Sequence, residues 1–214
     1  EICACLVGSE MCIRDSMKGT GEGAVNIRSD GQKAFRRNSE HITIESKTDK
    51  DGIDIRIAPG TKHESVHIPV VLTKPGFQDM VYNDFFVGEG ADVTIVAGCG
   101  IHNCGDCDSQ HDGIHTFYVG KNARVKYIEK HYGENDPGQT GGNIMNPKTV
   151  VYLGENSTMQ MDTIQIRGID STLRDTRFYC EAGSEVVVTE RLLTHGDQTC
   201  LLYTSPSPRD MRRS

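Results

Sequence analysis

Three thiols and three imidazoles fall within residues 99–115, the densest group of potentially reactive side chains in the sequence. Thiolates and imidazoles bind soft and borderline metal ions, and thiolates also act as nucleophiles. Several glycines separate these residues, and a glycine-rich loop can turn neighbouring side chains towards one point. Cys99, Cys104 and Cys107 are therefore candidate metal ligands.

The spacing of the three thiols leaves several kinds of site open. Cys-x4-Cys-x2-Cys is the spacing of a plant-type 2Fe–2S loop, with Cys180 as a conceivable fourth ligand. The nearby histidine pair does not form a zinc-protease motif, because an aspartate replaces the glutamate base and a strand-like segment follows. The alternatives are a small iron–sulfur or zinc site and an ordinary loop with buried free thiols, since cysteine is among the most often buried residues.

Two stretches near the ends of the chain share one DNA origin. Residues 6–15 and 200–210 can be encoded by the two strands of a single DNA string, which resembles a transposase-type sequencing adapter. Translated adapter residues are not expected to belong to the native fold, because adapter codons were never selected to pack against a core. Residues 1–16 and 200–214 are therefore predicted to be adapter-derived and to make few contacts with the body, residues 17–199.

Composition limits the class of the body. The chain has 214 residues and a net charge of −7, and the body is long enough for one domain with its own core. No apolar run approaches the ~20 residues of a membrane helix, and an acidic balance without Lys/Arg clusters argues against a nucleic-acid partner. Clustered thiols suit a metal or redox site better than a disulfide framework, so the cytoplasm is the predicted compartment.

A turn followed by a strand recurs four times. One aligned column holds residues that accept left-handed backbone angles at low cost, and the next column holds small residues. The first column is Gly90, Asn122, Asn156 and Gly183. After each pair, apolar and polar residues alternate as in a strand with one buried face. The intervals of 32, 34 and 27 residues indicate a stacked array. The sequence therefore predicts an all-β solenoid with these residues at equivalent corners, further strands near Ile42, Ile53 and Val66, and a loop over residues 135–146.

Several short motifs together resemble the SufB/SufD family of iron–sulfur cluster assembly proteins, in its shorter stand-alone form. They cover nearly all of the body and comprise Ala97-Gly98-Cys99 followed by His111, Val125-Lys126-Tyr127, Gly141-Gly142-Asn143, Asn26-Ile27-Arg28, Pro59-Gly60-Thr61, Tyr82-Asn83-Asp84-Phe85 and Thr194-His195-Gly196-Asp197-Gln198. The resemblance implies a right-handed parallel β-helix that is incomplete at its C-terminal end. It also implies a non-enzymatic scaffold that receives sulfur and iron and works with a SufC-type ATPase and a SufB/SufD-like subunit.

The resemblance also implies roles for four residues. Cys99 matches the family's Gly-Cys position, where the thiol is implicated in sulfur transfer. His111 matches a histidine that opens the following strand, His131 stands where SufB proteins usually carry a glutamine, and Lys148 matches a lysine inside the β-helix. A histidine or lysine beside Cys99 would favour its thiolate. The family continues beyond residue 198, so the ATPase-binding region is expected to lack a counterpart here, and the iron–sulfur cluster is expected to be transient rather than stably bound to this chain.

Two other functions remain open from the sequence. One is a small iron–sulfur or zinc protein that uses Cys99, Cys104 and Cys107 directly. The other is a β-helix enzyme that acts on polysaccharides, because such enzymes bind sugars along an outer groove lined by carboxylates and aromatic side chains. The absence of tryptophan and an aromatic content of 6% argue against the second alternative.

Overall fold

A computed structural model describes residues 23–205 as a β-solenoid of about five turns with parallel stacked strands, which confirms the predicted fold class. The described strands are β1 (Ala24–Ser29), β2 (Gln32–Arg37), β3 (Ile42–Ser46), β4 (Gly52–Ile57), β5 (Lys62–Leu72), β6 (Gln78–Val87), β7 (Asp92–Asn103), β8 (Ser109–Val119), β9 (Arg124–Asn135), β10 (Asn143–Met145), β11 (Lys148–Leu153), β12 (Thr158–Gln165), β13 (Ser171–Cys180), β14 (Glu185–Leu192) and β15 (Thr199–Ser205). This part of the chain contains no helix long and apolar enough to cross a membrane.

Two sheets face each other across the interior. The first has the order β14-β12-β9-β7-β5-β1-β2, and the second has the order β10-β13-β11-β8-β6-β4-β3, with β15 added to β13. The antiparallel pairs β1–β2 and β3–β4 close one end, and the remaining pairings are parallel. From β4 onwards, the chain alternates between the sheets, with β10 and β11 both in the second sheet. Each turn of the solenoid therefore joins a tight corner to a wider turn.

The tight corners occupy the predicted positions. Gly90, Asn122, Asn156 and Gly183 have φ angles of 66°, 57°, 55° and 73°. Each corner is bonded to the next, since the amide of Gly90 donates to the carbonyl of Lys121 and that of Asn122 donates to Glu155, both at 2.9 Å. Left-handed angles are cheap only for glycine and, to a lesser degree, asparagine, which explains the composition of this column. Gly60, with φ 71°, forms an additional corner that the sequence alignment did not include.

The interior is divided into an apolar half and a polar half. Beside the corners, inward-facing Ile, Val, Phe and Met side chains form one continuous buried cluster, in which Phe85 and Phe117 stack with ring centroids 4.2 Å apart. Towards the wide turns, buried apolar residues such as Val70, Leu72 and Ile101 are interspersed with buried charged and polar side chains. The apolar half stabilises the fold by area removed from water, and the polar half contains the candidate site.

An aromatic row runs along the outer face of the second sheet, four residues before each of these tight corners. Phe86, Tyr118, Tyr152 and Tyr179 stack successively, with centroid distances of 5.1, 5.4 and 4.9 Å. The guanidinium group of Arg56 covers the Phe86 end of the row. Parallel in-register pairing places identical positions of successive turns at stacking distance, so the row follows directly from the repeat.

Two sequence-based predictions of local structure were wrong. The predicted loop over 135–146 contains the strand β10, because Asn143–Met145 pairs with both β8 and β13. Residues 200–205, predicted to make few contacts, belong to β15, which pairs in parallel with β13. Backbone groups at an open strand edge bond to any extended segment, and the side chains take little part, since Leu201 and Tyr203 are 52% and 56% exposed. Residues 1–16 and 206–214 lie outside the described residues.

Candidate functional site

Cys99 lies on the inner face of β7, in the polar half of the interior. In-register pairing places Val70 of β5 on one side of it and His131 of β9 on the other. The facing sheet carries a matching row at the same level, in which Asp79 of β6, His111 of β8 and a methionine of β10 are neighbours. The strand pairing therefore brings one thiol and two imidazoles together between the sheets.

A small cavity adjoins the Cys99 thiol. Its volume is about 20 Å³, and the residues that line it include Cys99, His111, His115, Glu129 and His131. A cavity of this size holds about one water molecule. Cys99 itself is 8% exposed. The site can therefore accept one additional atom beside the sulfur, but it is too small to enclose a sugar ring.

Gly113 keeps this cavity open. Its position on β8 faces inward, and a Cβ atom added there would lie 3.3 Å from His115 Nε2 and 3.4 Å from His111 Nε2. Both contacts are tight, so even a methyl group would press against the two imidazoles. The glycine between the two histidines therefore provides space at the site rather than a turn, because it lies within a strand.

His111 is held between a carboxylate and the thiol. Its Nδ1 donates to Asp79 Oδ2 at 3.0 Å, and Arg28 donates to the other Asp79 oxygen at 3.1 Å. Burial opposes the charged imidazolium, but the Cys99 thiol and the Asp79 carboxylate outweigh it and raise the pKa of His111 to about 10. The arrangement favours a charged imidazolium next to the Cys99 sulfur, the neighbour that activates the thiol in Cys–His nucleophilic pairs.

A second group of buried polar side chains adjoins the first. Glu129 of β9 accepts a 2.5 Å hydrogen bond from Arg174 of β13 and a 2.9 Å bond from the Tyr127 hydroxyl. Arg174 also donates to His131 Nδ1 at 3.3 Å, and His115 Nδ1 contacts the Tyr127 hydroxyl at 2.7 Å. Although burial opposes the charged carboxylate, Arg174 and His131 keep the pKa of Glu129 well below its usual range. Glu129 and Arg174 thus form a buried ion pair that fixes His131 beside Cys99.

The four residues implied by the family resemblance separate into two groups. Cys99, His111 and His131 meet at the cavity. Lys148 was expected inside the β-helix, but it is exposed on the outer face of β11. The reason is the two-residue alternation of a strand, because Pro147 and Thr149 face inward and the residue between them must face outward. Lys148 is therefore not part of the site.

The proposed three-thiol metal site is not assembled. Cys99 faces the interior, whereas Cys104 and Cys107 are exposed on the wide turn between β7 and β8. The Cys104 sulfur lies 3.5 Å from the backbone oxygen of Thr73. Within residues 23–205, no group of three or more His, Cys, Asp or Glu side chains is arranged to hold a metal ion. The end of β7 therefore separates Cys99 from Cys104 and Cys107, although their spacing in the sequence suggested that the three thiols are neighbours.

Four charged residues of the site were missed by the sequence analysis: Arg28, Asp79, Glu129 and Arg174. A signal was present for the last three, because each occupies the buried phase of its strand. Asp79 shares its phase with Val81 and Phe85, and Glu129 shares its phase with Val125 and Tyr127. A charged residue in the buried phase of an alternating strand requires a buried partner and is a candidate site residue. The identity of that partner depends on contacts across the interior and has no local signal.

The outer aromatic row is poorly suited to binding sugars, although it consists of aromatic side chains. Each ring of the row stacks on the next at about 5 Å, so most ring faces contact other rings of the row. Sugar binding by aromatic side chains would need free ring faces, and the cavity at Cys99 is too small for a sugar. The chain matches no family model, no curated protein and no solved structure. Its function is therefore argued from the geometry of the site.

Proposed function

We propose that this chain is part of an iron–sulfur cluster assembly scaffold in which Cys99 receives a sulfur atom as a persulfide. The observation that carries the proposal is the position of Cys99 inside the solenoid, next to His111 and to a cavity of about 20 Å³. A buried thiol without catalytic partners would be inert. The combination of an activating histidine and room for one atom fits the transfer of a single sulfur.

The transfer step needs no oxidant or reductant. The Cys99 thiolate attacks the outer sulfur of a donor persulfide, R–S–SH. A new bond forms between Cys99 Sγ and that sulfur, the S–S bond of the donor breaks, and the donor leaves as the thiolate R–S⁻. The transferred sulfur keeps its proton. Protonated His111 stabilises the attacking thiolate before the reaction, in the way that a positive neighbour activates catalytic cysteines.

The wider role extends the resemblance noted in the sequence. Iron and sulfur are the cargo of the scaffold rather than its resident cofactor, and the cluster leaves after assembly. We expect a SufC-type ATPase and a SufB/SufD-like subunit as partners, so ATP hydrolysis belongs to the partner and this chain is not itself an enzyme. The cytoplasm suits the proposal, because it keeps thiols reduced, and the five cysteines among the described residues are all free.

Sulfur loading tests the proposal directly. The reduced 214-residue chain is incubated anaerobically with a low-molecular-weight persulfide, and the modified cysteine is identified by mass spectrometry of its peptides. We expect one added sulfur on Cys99 and loss of this signal in Cys99→Ser. Cys180→Ser is the matched control, because Cys180 is a partly buried free thiol outside the polar cluster. Equal loading of Cys99→Ser and Cys180→Ser would refute the role of Cys99.

The cavity provides a second variant. Gly113→Ala leaves every reactive group in place but fills the space beside the two imidazoles. We expect it to reduce sulfur loading of Cys99 at least about tenfold, the equivalent of about 1.4 kcal/mol in the activation barrier. Anaerobic reconstitution with iron and sulfide, with and without Cys99→Ser, then tests whether the loaded sulfur contributes to a cluster. Unchanged loading of Gly113→Ala would show that the cavity does not receive the sulfur.

A further inference from the structure

We propose that Asp79, anchored by Arg28, is a positioning residue that acts through His111 to hold Cys99 in its thiolate form. This inference rests on the proposed function only for the molecule that Cys99 attacks. The activation of the Cys99 thiol itself depends on contacts within this chain. It assigns roles to Asp79 and Arg28, which lie away from the thiol. Arg28 belongs to a motif of the family resemblance, but neither the resemblance nor the spacing of the cysteines implied a role for either residue.

The strand register fixes the relation between Asp79 and His111. The two residues are direct partners in the parallel pairing of β6 with β8, and both side chains point into the interior. His111 Nδ1 donates to Asp79 Oδ2 at 3.0 Å, so the ring presents its other nitrogen, Nε2, elsewhere. That nitrogen lies 3.4 Å from the place of a Cβ at Gly113, beside the cavity that Cys99 also lines.

Arg28 restrains the carboxylate. Its Nη2 donates to Asp79 Oδ1 at 3.1 Å and to the backbone oxygen of Gly31 at 3.2 Å. Each carboxylate oxygen of Asp79 therefore has its own partner, which prevents rotation of the group away from His111. All three side chains are buried, so water does not compete for these bonds. A thiol, an imidazole and an orienting carboxylate in this order are the parts of an activated cysteine nucleophile.

The other charged and titratable groups that face the pair do not replace Asp79. From β9 these are Glu129 and His131, from β8 His115, and from β13 Arg174. Glu129 and Arg174 neutralise each other in their 2.5 Å ion pair. Burial lowers the pKa of His115 to about 4 and also lowers the pKa of His131, so both imidazoles are neutral near pH 7.

The interior-facing residues of β5 and β10 nearest to the pair are Val70 and Met145, which carry no charge. Of the two buried carboxylates near the site, Asp79 contacts His111 directly, whereas Glu129 is paired with Arg174.

The test is a pH titration of the Cys99 thiolate in the full chain. Thiolates absorb ultraviolet light at wavelengths where thiols absorb little, so the difference between wild type and Cys99→Ser isolates Cys99 from the other cysteines. The midpoint of this difference absorbance in the wild type is the reference for the variants. Asp79→Asn should raise this midpoint by at least about one unit, a tenfold lower ratio of thiolate to thiol at a given pH.

Two further variants keep the result interpretable. Asp84→Asn is the matched control, since it removes the same charge from the same strand at a position that faces away from the interior and pairs with Lys47. It should leave the midpoint unchanged. Because Asp79→Asn leaves Arg28 buried without its partner, the double variant Arg28→Met/Asp79→Asn provides a second test without an unpaired buried charge. It should raise the midpoint as Asp79→Asn does.

The outcomes separate this inference from the proposed function. A raised midpoint in both Asp79 variants, with Asp84→Asn unchanged, supports the positioning role whether or not Cys99 accepts sulfur. A midpoint that stays at its wild-type value in a folded Asp79 variant overturns it, even if persulfide loading of Cys99 succeeds.

Discussion

Replacing Arg174 with methionine tests how much the buried ion pair contributes to the fold. Arg174 is only 2% exposed, and its guanidinium group donates to Glu129 at 2.5 Å and to His131 at 3.3 Å. Methionine fills a similar volume without charge. The substitution therefore leaves the Glu129 carboxylate buried and without its guanidinium partner, with the Tyr127 hydroxyl at 2.9 Å and His131 Nε2 at 3.6 Å as neighbours.

The magnitude follows from the burial of both partners. Removing one member of a buried ion pair costs about 3–5 kcal/mol, because the other charge is left without compensation. For a domain of this size, such a loss corresponds to a decrease in melting temperature of about 6–20 °C. The double variant Glu129→Gln/Arg174→Met removes both charges. It should regain most of the lost stability, because replacing a whole buried pair is often close to neutral.

Urea denaturation followed by circular dichroism measures these free energies in the 214-residue chain. Arg177→Met is the matched control on the same strand, since Arg177 pairs with Asp175 at 2.9 Å but half of its side chain is exposed. Water screens that pair, so its removal should have little measurable effect. If Arg174→Met proved no more destabilising than Arg177→Met, Glu129 would be solvated or protonated, and the description of the interior as a closed polar cluster would be wrong.

Three further predictions concern the corner, the outer face and the dependence on pH. Asn122→Ala should cost about 1–2 kcal/mol because Asn122 has φ 57°, whereas Asn122→Gly should be nearly neutral in the same denaturation assay. Tyr152→Ala removes two stacking contacts, with Tyr118 and Tyr179, and should cost about 1–3 kcal/mol; equal stability would show that the row does not hold the turns together. The folded-state pKa of His111, about 10, lies above its unfolded value of about 6.5, so its contribution to stability is complete below pH 6.5 and is lost as the pH rises towards 10. As the pH rises between those values, the free energy of unfolding measured in urea should decrease less for His111→Gln than for the wild type.

The corners could be predicted from the sequence because their physics is local. A left-handed backbone angle restricts the residue type at one position, and the repeat brings that restriction back at intervals of 32, 34 and 27 residues. The strand β10 was missed because glycine, asparagine and proline surround it, and those residues usually indicate a loop. Its pairing with β8 and β13 depends on neighbouring turns of the solenoid rather than on its own composition.

The site was predictable only in part, because its members come from separate turns. Cys99, His111 and His131 were correctly grouped, but Lys148 was assigned by resemblance across a loop. Counting back by two from Leu153, which is buried, places Lys148 on the outer face. Arg28 and Asp79 stand 51 residues apart and meet across the interior. No local pattern announces such a contact, so only the strand register could reveal it.

The division of the interior explains how the solenoid tolerates a charged site. Buried ion pairs and histidines add little net stability, since desolvation offsets most of their attraction. The tight-corner half compensates with close-packed apolar rows, such as the Phe85–Phe117 stack. In a stacked array each turn is stabilised mainly by its neighbours, so the apolar rows support the polar half of the same turns. Cys99 therefore lies in a pocket with fixed polar partners, and His111 rather than bulk water lies beside its sulfur. Under the proposed function, such a pocket would shield a persulfide on Cys99 from solvent.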